Sequence, residues 1–217
     1  MTKVGILGHS MGAAGALVAT AESPEVEAAV GVSTPADPYR LTRQTFRLAS
    51  LPIPSPIAWP LAWITTRVYL QPRGHTVAQI SATRAVKDIA VPVLLVHGDD
   101  DHVVPVGHLA RLASIRRGAR PDAVTETLTV AGGHHSWLFE FAEFRATVAR
   151  FFAASLGGPL TPDEAARVAE AVPAARLPEP ERLTVLDEEP GGARSLLRVF
   201  RRHEPTTATD VPAEEIS

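Results

Sequence analysis

There is no cysteine among the 217 residues. Disulfide frameworks, thiolate metal sites and cysteine nucleophiles are therefore excluded, while the compartment is left open. Nor is either sign of charge in excess: 21 Lys and Arg stand against 24 Asp and Glu, a formal net charge of −3. That balance argues against a nucleic-acid surface or an electrostatically driven membrane protein. The most apolar later segment, Ile57 to Leu70, is shorter than the roughly 20 residues of a bilayer span and carries Pro60 and Arg67. No transmembrane helix is expected. Met1-Thr2-Lys3 leads straight into a strand-like run, with no charged region, long apolar stretch or cleavage site. No signal peptide is read there, and the expected location is cytoplasmic. Internal repeats are also lacking.

What is present is ordinary globular composition, 45% hydrophobic and 21% charged, enough for one main domain. The 19 prolines are uneven, dense around residues 52 to 60 and again from 159 to 212, which sets a compact middle apart from two irregular regions. The most informative segment lies near the start. Gly8-His9-Ser10-Met11-Gly12 spells G-x-S-x-G between the apolar run Val4-Gly5-Ile6-Leu7 and the small residues Ala13-Ala14-Gly15-Ala16-Leu17. A buried strand, a sharp turn and a helix are what a nucleophile elbow needs to thrust a serine hydroxyl toward substrate. Gly8 and Gly12 are read as removing side chains that would collide where helix and strand approach.

The chain resembles the α/β-hydrolases from about Val4 to Leu156, with motifs in that family's order of Ser, acid, His. The implied fold is α/β: a partial α/β-hydrolase with a mostly parallel sheet of about four strands, flanking helices and a helical cap insertion. In the family, the elbow follows the fifth strand and about a hundred residues of sheet, helices and oxyanion loop come first. None of that is visible in this sequence.

Lys3 to Leu7 reads as a buried strand, Met11 to about Glu22 as a helix and Ala28 to Ser33 as the next strand. Residues 39–88 follow neither a clean strand nor one helical period and are read as the cap. Leu51, Ile53, Ile57, Trp59, Leu61, Trp63, Ile64 and Tyr69 suit either a lid face or the insertion's own core. The continuous run from Val91 to Gly98 reads as a strand covered on both faces. Residues 106–117 read as helix, Thr125 to Val130 as strand and Leu138 to about Ala154 as helix; right-handed crossovers would make the sheet parallel. Thr161, Pro162, Asp163 and Glu164 form a helix start, with a capping hydroxyl, a first-turn proline and acids at the positive end of the dipole. A further helix is read over Gly192 to Arg202. The expected division is core at 1–38 and 89–156, cap at 39–88, a C-terminal helical extension at 157–202 and a disordered tail at 203–217.

Serine is a poor nucleophile at neutral pH and needs a base, which in turn needs an acid to hold its tautomer. His97-Gly98-Asp99-Asp100-Asp101-His102-Val103-Val104-Pro105 resembles the family's H-G-x-x-D-x-x-V-P loop, whose aspartate maps onto Asp101. Asp99 and Asp100 otherwise read as a polar turn, with Asp100 the reserve acid. The base is sought in Gly132-Gly133-His134-His135-Ser136-Trp137-Leu138-Phe139-Glu140. The family's G-x-x-H, with a glutamate five residues on, fits Gly132, His135 and Glu140, while counting from Gly133 favours His134 as the reserve. The resemblance makes the Met11 N–H one oxyanion donor and puts the second on a loop after an earlier strand, which residues 1–3 cannot provide.

The resulting expectation is a serine hydrolase that cleaves small-molecule esters or related acyl substrates through an acyl-enzyme. Ser10 is the nucleophile, His135 the base and Asp101 its orienting acid; Trp59, Trp63 and Trp137 contact substrate. No cofactor is expected. No metal is expected either, because the His and Asp cluster lacks H-E-x-x-H or comparable spacing, and the glycines lack the lysine of a phosphate loop. The rival reading is a truncated, weakly active or inactive hydrolase-like protein. Its elbow strand would form an exposed edge that pairs with a second copy or a complementing N-terminal half.

Overall fold

The computed structural model describes residues 3–38, 41, 55–70, 74, 76 and 79–173. The chain divides into the units Met1–Ala175 and Arg176–Ser217, and all described residues belong to the first. The helix read over 192–202 and the tail at 203–217 lie outside the described residues.

Four strands, β1 (Val4–His9), β2 (Val26–Val32), β3 (Val93–Gly98) and β4 (Thr125–Val130), form one sheet in the order β1-β2-β3-β4, every pair parallel. Sequential order with parallel pairing requires each connection to cross back over the sheet. The helices α1 (Met11–Glu22), α2 (Ser55–Leu70), α3 (Ala82–Asp88) and α4 (Gly107–Ala119) lie in these crossovers. Two helices follow β4: α5 (Ala142–Leu156), after a 3₁₀ turn at Leu138–Glu140, and α6 (Pro162–Ala171).

Strand side chains alternate between two cores because their period is two. Ala29, Val93 and Leu95 point to a layer made by Leu17 of α1, Ala82, Ala85 and Val86 of α3, and Leu109 and Leu112 of α4. Ala28, Val30, Val32, Leu94 and Val96 face the opposite way, against Leu138 and the α5 residues Phe144 and Phe151. Every residue of β3 is buried, as its unbroken apolar run requires when both sheet faces are covered. Although α3 falls within the 39–88 stretch read as cap, its Ala82 and Val86 are fully buried in the core.

Two sequence expectations need correction. The elbow strand was expected to be buried, yet β1 is an edge among the described strands, with Val4 45% and Leu7 47% exposed. An apolar run reports what a strand would bury, whereas its neighbours decide what is covered. Close packing at the elbow rests on Gly8 alone: a Cβ there would lie 2.4 Å from the Gly12 carbonyl, whereas one on Gly12 meets nothing within 4 Å among the described residues.

Arg116 of α4 is wholly buried and acts as a carbonyl clamp for this layer. Its Nη1 donates to Ile89 O at 2.6 Å and its Nη2 to Val91 O at 2.5 Å, binding α4 to the turn between α3 and β3. Burial, assisted by the charge of Arg120, pushes its pKa down to about 10, so the guanidinium is still charged at neutral pH. Replacing it with Met relieves the buried charge but orphans two carbonyls whose charge-assisted bonds contribute about 1.5–3 kcal/mol each. The orphaned carbonyls outweigh the relief. Arg116→Met should lower unfolding stability by about 2–3 kcal/mol, read from the midpoint of urea denaturation. An unchanged midpoint would show that the clamp contributes nothing net.

The extension after Leu156 begins as its sequence indicates. Thr161 Oγ1 accepts from the Glu164 N–H at 3.3 Å and Glu164 Oε2 accepts from the Thr161 N–H at 2.9 Å, a reciprocal cap on α6. Arg145 of α5 then donates to Phe139 O at 2.7 Å and Val172 O at 2.9 Å, joining the end of α6 to the 3₁₀ turn. Among the described residues no helix is long and apolar enough to cross a membrane.

Candidate active site

Parallel strands bring their C-terminal ends to one rim, and the loops leaving β1, β3 and β4 meet there. Ser10 links β1 to α1 with φ 53° and ψ −124°, a conformation that costs a non-glycine residue about 1–3 kcal/mol. Its N–H donates to Val32 O at 2.8 Å, and its carbonyl accepts from Ala13 N at 3.0 Å. The turn is held between sheet and helix. Directly after it, Met11 opens α1 and carries one of the N–H groups that a helix start leaves without an intrahelical partner.

Across the rim, His135 Nδ1 lies 2.8 Å from Asp101 Oδ2 and His135 Nε2 lies 3.0 Å from Ser10 Oγ. A carboxylate only accepts, so the proton sits on Nδ1, and Nε2 is left to accept from the serine hydroxyl. Asp101 has a buried side chain with all its directions filled. Oδ1 accepts from Val103 N at 2.9 Å and Val104 N at 2.7 Å, while Oδ2 also faces His97 Nε2 at 3.2 Å. Burial alone would raise its pKa, but the bonds from His97, Val104 and His135 outweigh it and hold the carboxyl well below the usual carboxylate range.

The β3 and β4 loops are held together at a glycine contact. A Cβ on Gly98 would lie 2.0 Å from Gly133 O, so no side chain fits where the two backbones pass. Asp99 Oδ1 accepts from Gly132 N at 2.7 Å and Asp100 N donates to Gly133 O at 3.0 Å across the same seam.

No family model matches the chain, and no curated protein matches it. Solved structures do. An acylaminoacyl peptidase from Pyrococcus horikoshii is 16% identical with a TM-score of 0.53, over 73% of this chain and 25% of its own. A puromycin-hydrolyzing peptidase from Mycobacterium tuberculosis is 22% identical with a TM-score of 0.50, over 70% of this chain and 22% of its own. The fold is that of the α/β-hydrolases.

The chain spans about a quarter of the length of these two α/β-hydrolase neighbours. Within this fold the adjacent His and Asp candidates separate cleanly. His135 faces Ser10 and Asp101, whereas His134, its side chain 68% exposed, turns to Asp100 at 3.2 Å. Asp100 is shared on the surface with His102 at 3.1 Å. Trp137 stands two residues beyond His135 in the left-handed region (φ 69°), 40% exposed and edge-on to Phe139. Trp59 and Trp63 lie on α2 with exposed rings, the Arg67 guanidinium 5.0 Å from the centre of the Trp63 ring.

The α/β-hydrolase loop motif signalled His97, but its task was not read from sequence. It is buried, with Nε2 2.6 Å from Val104 O and 3.2 Å from Asp101 Oδ2. Both partners accept, so Nε2 is protonated and its N–H is shared between them. The five-residue spacing from Gly98 to Val103 could have suggested a turn closing on itself, but not which atoms meet.

Proposed function

We propose that the chain is a serine hydrolase of carboxylic esters or related acyl compounds, with Ser10 as nucleophile, His135 as base and Asp101 as its orienting acid. The observation carrying this reading is the unbroken relay from Ser10 Oγ to His135 Nε2 at 3.0 Å and from His135 Nδ1 to Asp101 Oδ2 at 2.8 Å. The peptidase names of the fold neighbours lend support, since peptide cleavage is also acyl transfer.

Ser10 Oγ attacks the carbonyl carbon as its proton passes to His135 Nε2. The oxyanion that forms is directed at the Met11 N–H, a donor class whose removal typically costs about 10²–10³ in kcat. Collapse expels the alcohol, which takes its proton from His135 Nε2 and leaves an ester on Ser10. Water gives a proton to His135, attacks that ester and frees the acid as Oγ recovers its proton. Asp101 stays ionised throughout.

In this reading α2 belongs to a cap over the rim, with Trp59, Trp63 and Trp137 contacting an apolar acyl group of medium or long chain, while α3, also within the 39–88 stretch, is part of the core. A second reading is favoured by the exposed β1 edge: a hydrolase-like chain that turns over only when a second copy or a complementing N-terminal half covers that strand. A fluorophosphonate probe tests the first reading, because serine Oγ displaces its fluoride only when activated. The expected result is one phosphonyl adduct on the peptide containing Ser10, absent after heat denaturation. A native chain that stays unlabelled would remove the first reading and leave the second.

A further inference from the structure

We infer that His9 and Ser33 form a two-sided clamp on the main-chain carbonyl of His135 and thereby act as positioning residues for the base. The inference rests on the hydrolase reading above. His9 Nε2 lies 2.7 Å from His135 O, and Ser33 Oγ donates to the same oxygen at 3.3 Å. A carbonyl only accepts, so His9 carries its proton on Nε2.

The clamp comes from the sheet. His9 is the last residue of β1, and Ser33 follows the last residue of β2 with its N–H bound to Val96 O at 2.8 Å. Both donors therefore stand on rigid strand ends. The loop they grip is less supported. Up to Gly133 it is stitched to the β3 loop, and from Trp137 its carbonyl is bound within the 3₁₀ turn. Between them, among the described residues, the His135 carbonyl is the one main-chain group of residues 134–136 with a hydrogen-bond partner.

Backbone strain marks the same place. The non-glycine residues with positive φ among those described are Ser10, Ser33 and Trp137: the nucleophile, one jaw of the clamp and the residue that turns the chain beyond the base. Such conformations persist where surrounding bonds over-determine them. At Ser33, φ 48° turns the chain as its hydroxyl reaches the His135 carbonyl. The His9 ring also packs against the His135 ring, centroids 5.0 Å apart and tilted by 53°. One side chain thus holds both the main chain and the ring of the base.

A misplacement of about 1 Å at a reacting group costs about 10²-fold in rate. His9→Phe keeps a ring against His135 but removes the donor; kcat should fall about 30–100-fold with KM changed less than about threefold. His9→Gln, whose amide carries a donor at the same reach, should restore most of the loss. Ser33→Ala should cost less, because its bond is longer. His9→Phe with Ser33→Ala should cost more than the product of the two, since only then is the carbonyl without a donor.

The spectroscopic reading is the downfield proton resonance of His135 Nδ1–H, present in the wild type, broadened by exchange in His9→Phe and restored in His9→Gln. Rates are taken alongside fluorophosphonate labelling of the wild type, which separates the two ways of failing. An unlabelled wild type would overturn the hydrolase reading. A labelled wild type matched within twofold by His9→Phe, or a Gln variant as poor as Phe, would overturn the clamp alone.

Discussion

Ser10→Ala and His135→Ala should each lower kcat on a chromogenic ester by about six orders of magnitude, and the double variant should be no worse than either. Two side chains joined by one proton transfer act as a unit. Removing Ser10 leaves His135 with nothing to deprotonate, and removing His135 leaves the hydroxyl at its ordinary, unreactive pKa. About six decades correspond to about 8 kcal/mol of lost transition-state stabilisation, against which changes in packing at this exposed rim are small. His134→Ala is the control. Its ring turns away to Asp100 and is 68% exposed, so its loss should change kcat less than threefold. Activity that survives Ser10→Ala, or that disappears with His134→Ala and persists in His135→Ala, would break the assignment.

The elements legible in the sequence are those whose surroundings it also specifies. The apolar run ending at Gly98 became the fully buried β3, and the alternating Thr125–Val130 became β4 with the bounds expected. Helix α1 also matches its reading, because small residues directly after a glycine-flanked turn leave little choice. Residues 55–70 hid their helix: Pro56 and Pro60 interrupt the donor pattern, yet Pro60 sits inside α2. The helix expected from Leu138 splits at Phe141, because Trp137 enters in the left-handed region and the first turn closes as 3₁₀ before α5 begins.

Site residues follow the same division. The resemblance of the loop motifs pointed to Ser10, Asp101 and His135, with Asp100 and His134 in reserve, and the structure brings the first three side chains into contact. The clamp was not readable, because His9 and His135 are 126 residues apart and their contact is to a main-chain oxygen, which leaves no trace in residue type. His97 lies between these cases: its motif is visible, but its shared bond to Val104 O and Asp101 depends on how the loop closes.

That closure makes Asp101→Asn the second large effect, with an expected loss of about 10⁴ in kcat. The carboxylate receives N–H groups from Val103, Val104, His97 and His135 and donates to none. An amide cannot replace it in either orientation. With its nitrogen toward the imidazoles it opposes His97 and forces His135 to accept at Nδ1, which puts the proton on Nε2 and removes the base. With its nitrogen toward the backbone it opposes two amides. Asp99→Asn keeps an oxygen for Gly132 N, and Asp100→Asn alters a surface pair, so each should stay within a few-fold of wild type.

Stability supplies an independent readout with a definite sign. The folded pKa of Asp101 lies below its ordinary value of 3.8, so ionisation favours the folded state. That contribution is fully present above about pH 4 and is lost as pH falls below it toward the folded pKa. Denaturant midpoints should therefore show the wild type more stable than Asp101→Asn at neutral pH, with the gap narrowing steadily below about pH 4. A constant gap through that range would show that the fold does not lower the pKa of Asp101, whereas a larger kinetic loss in Asp100→Asn would transfer the acid's role away from Asp101.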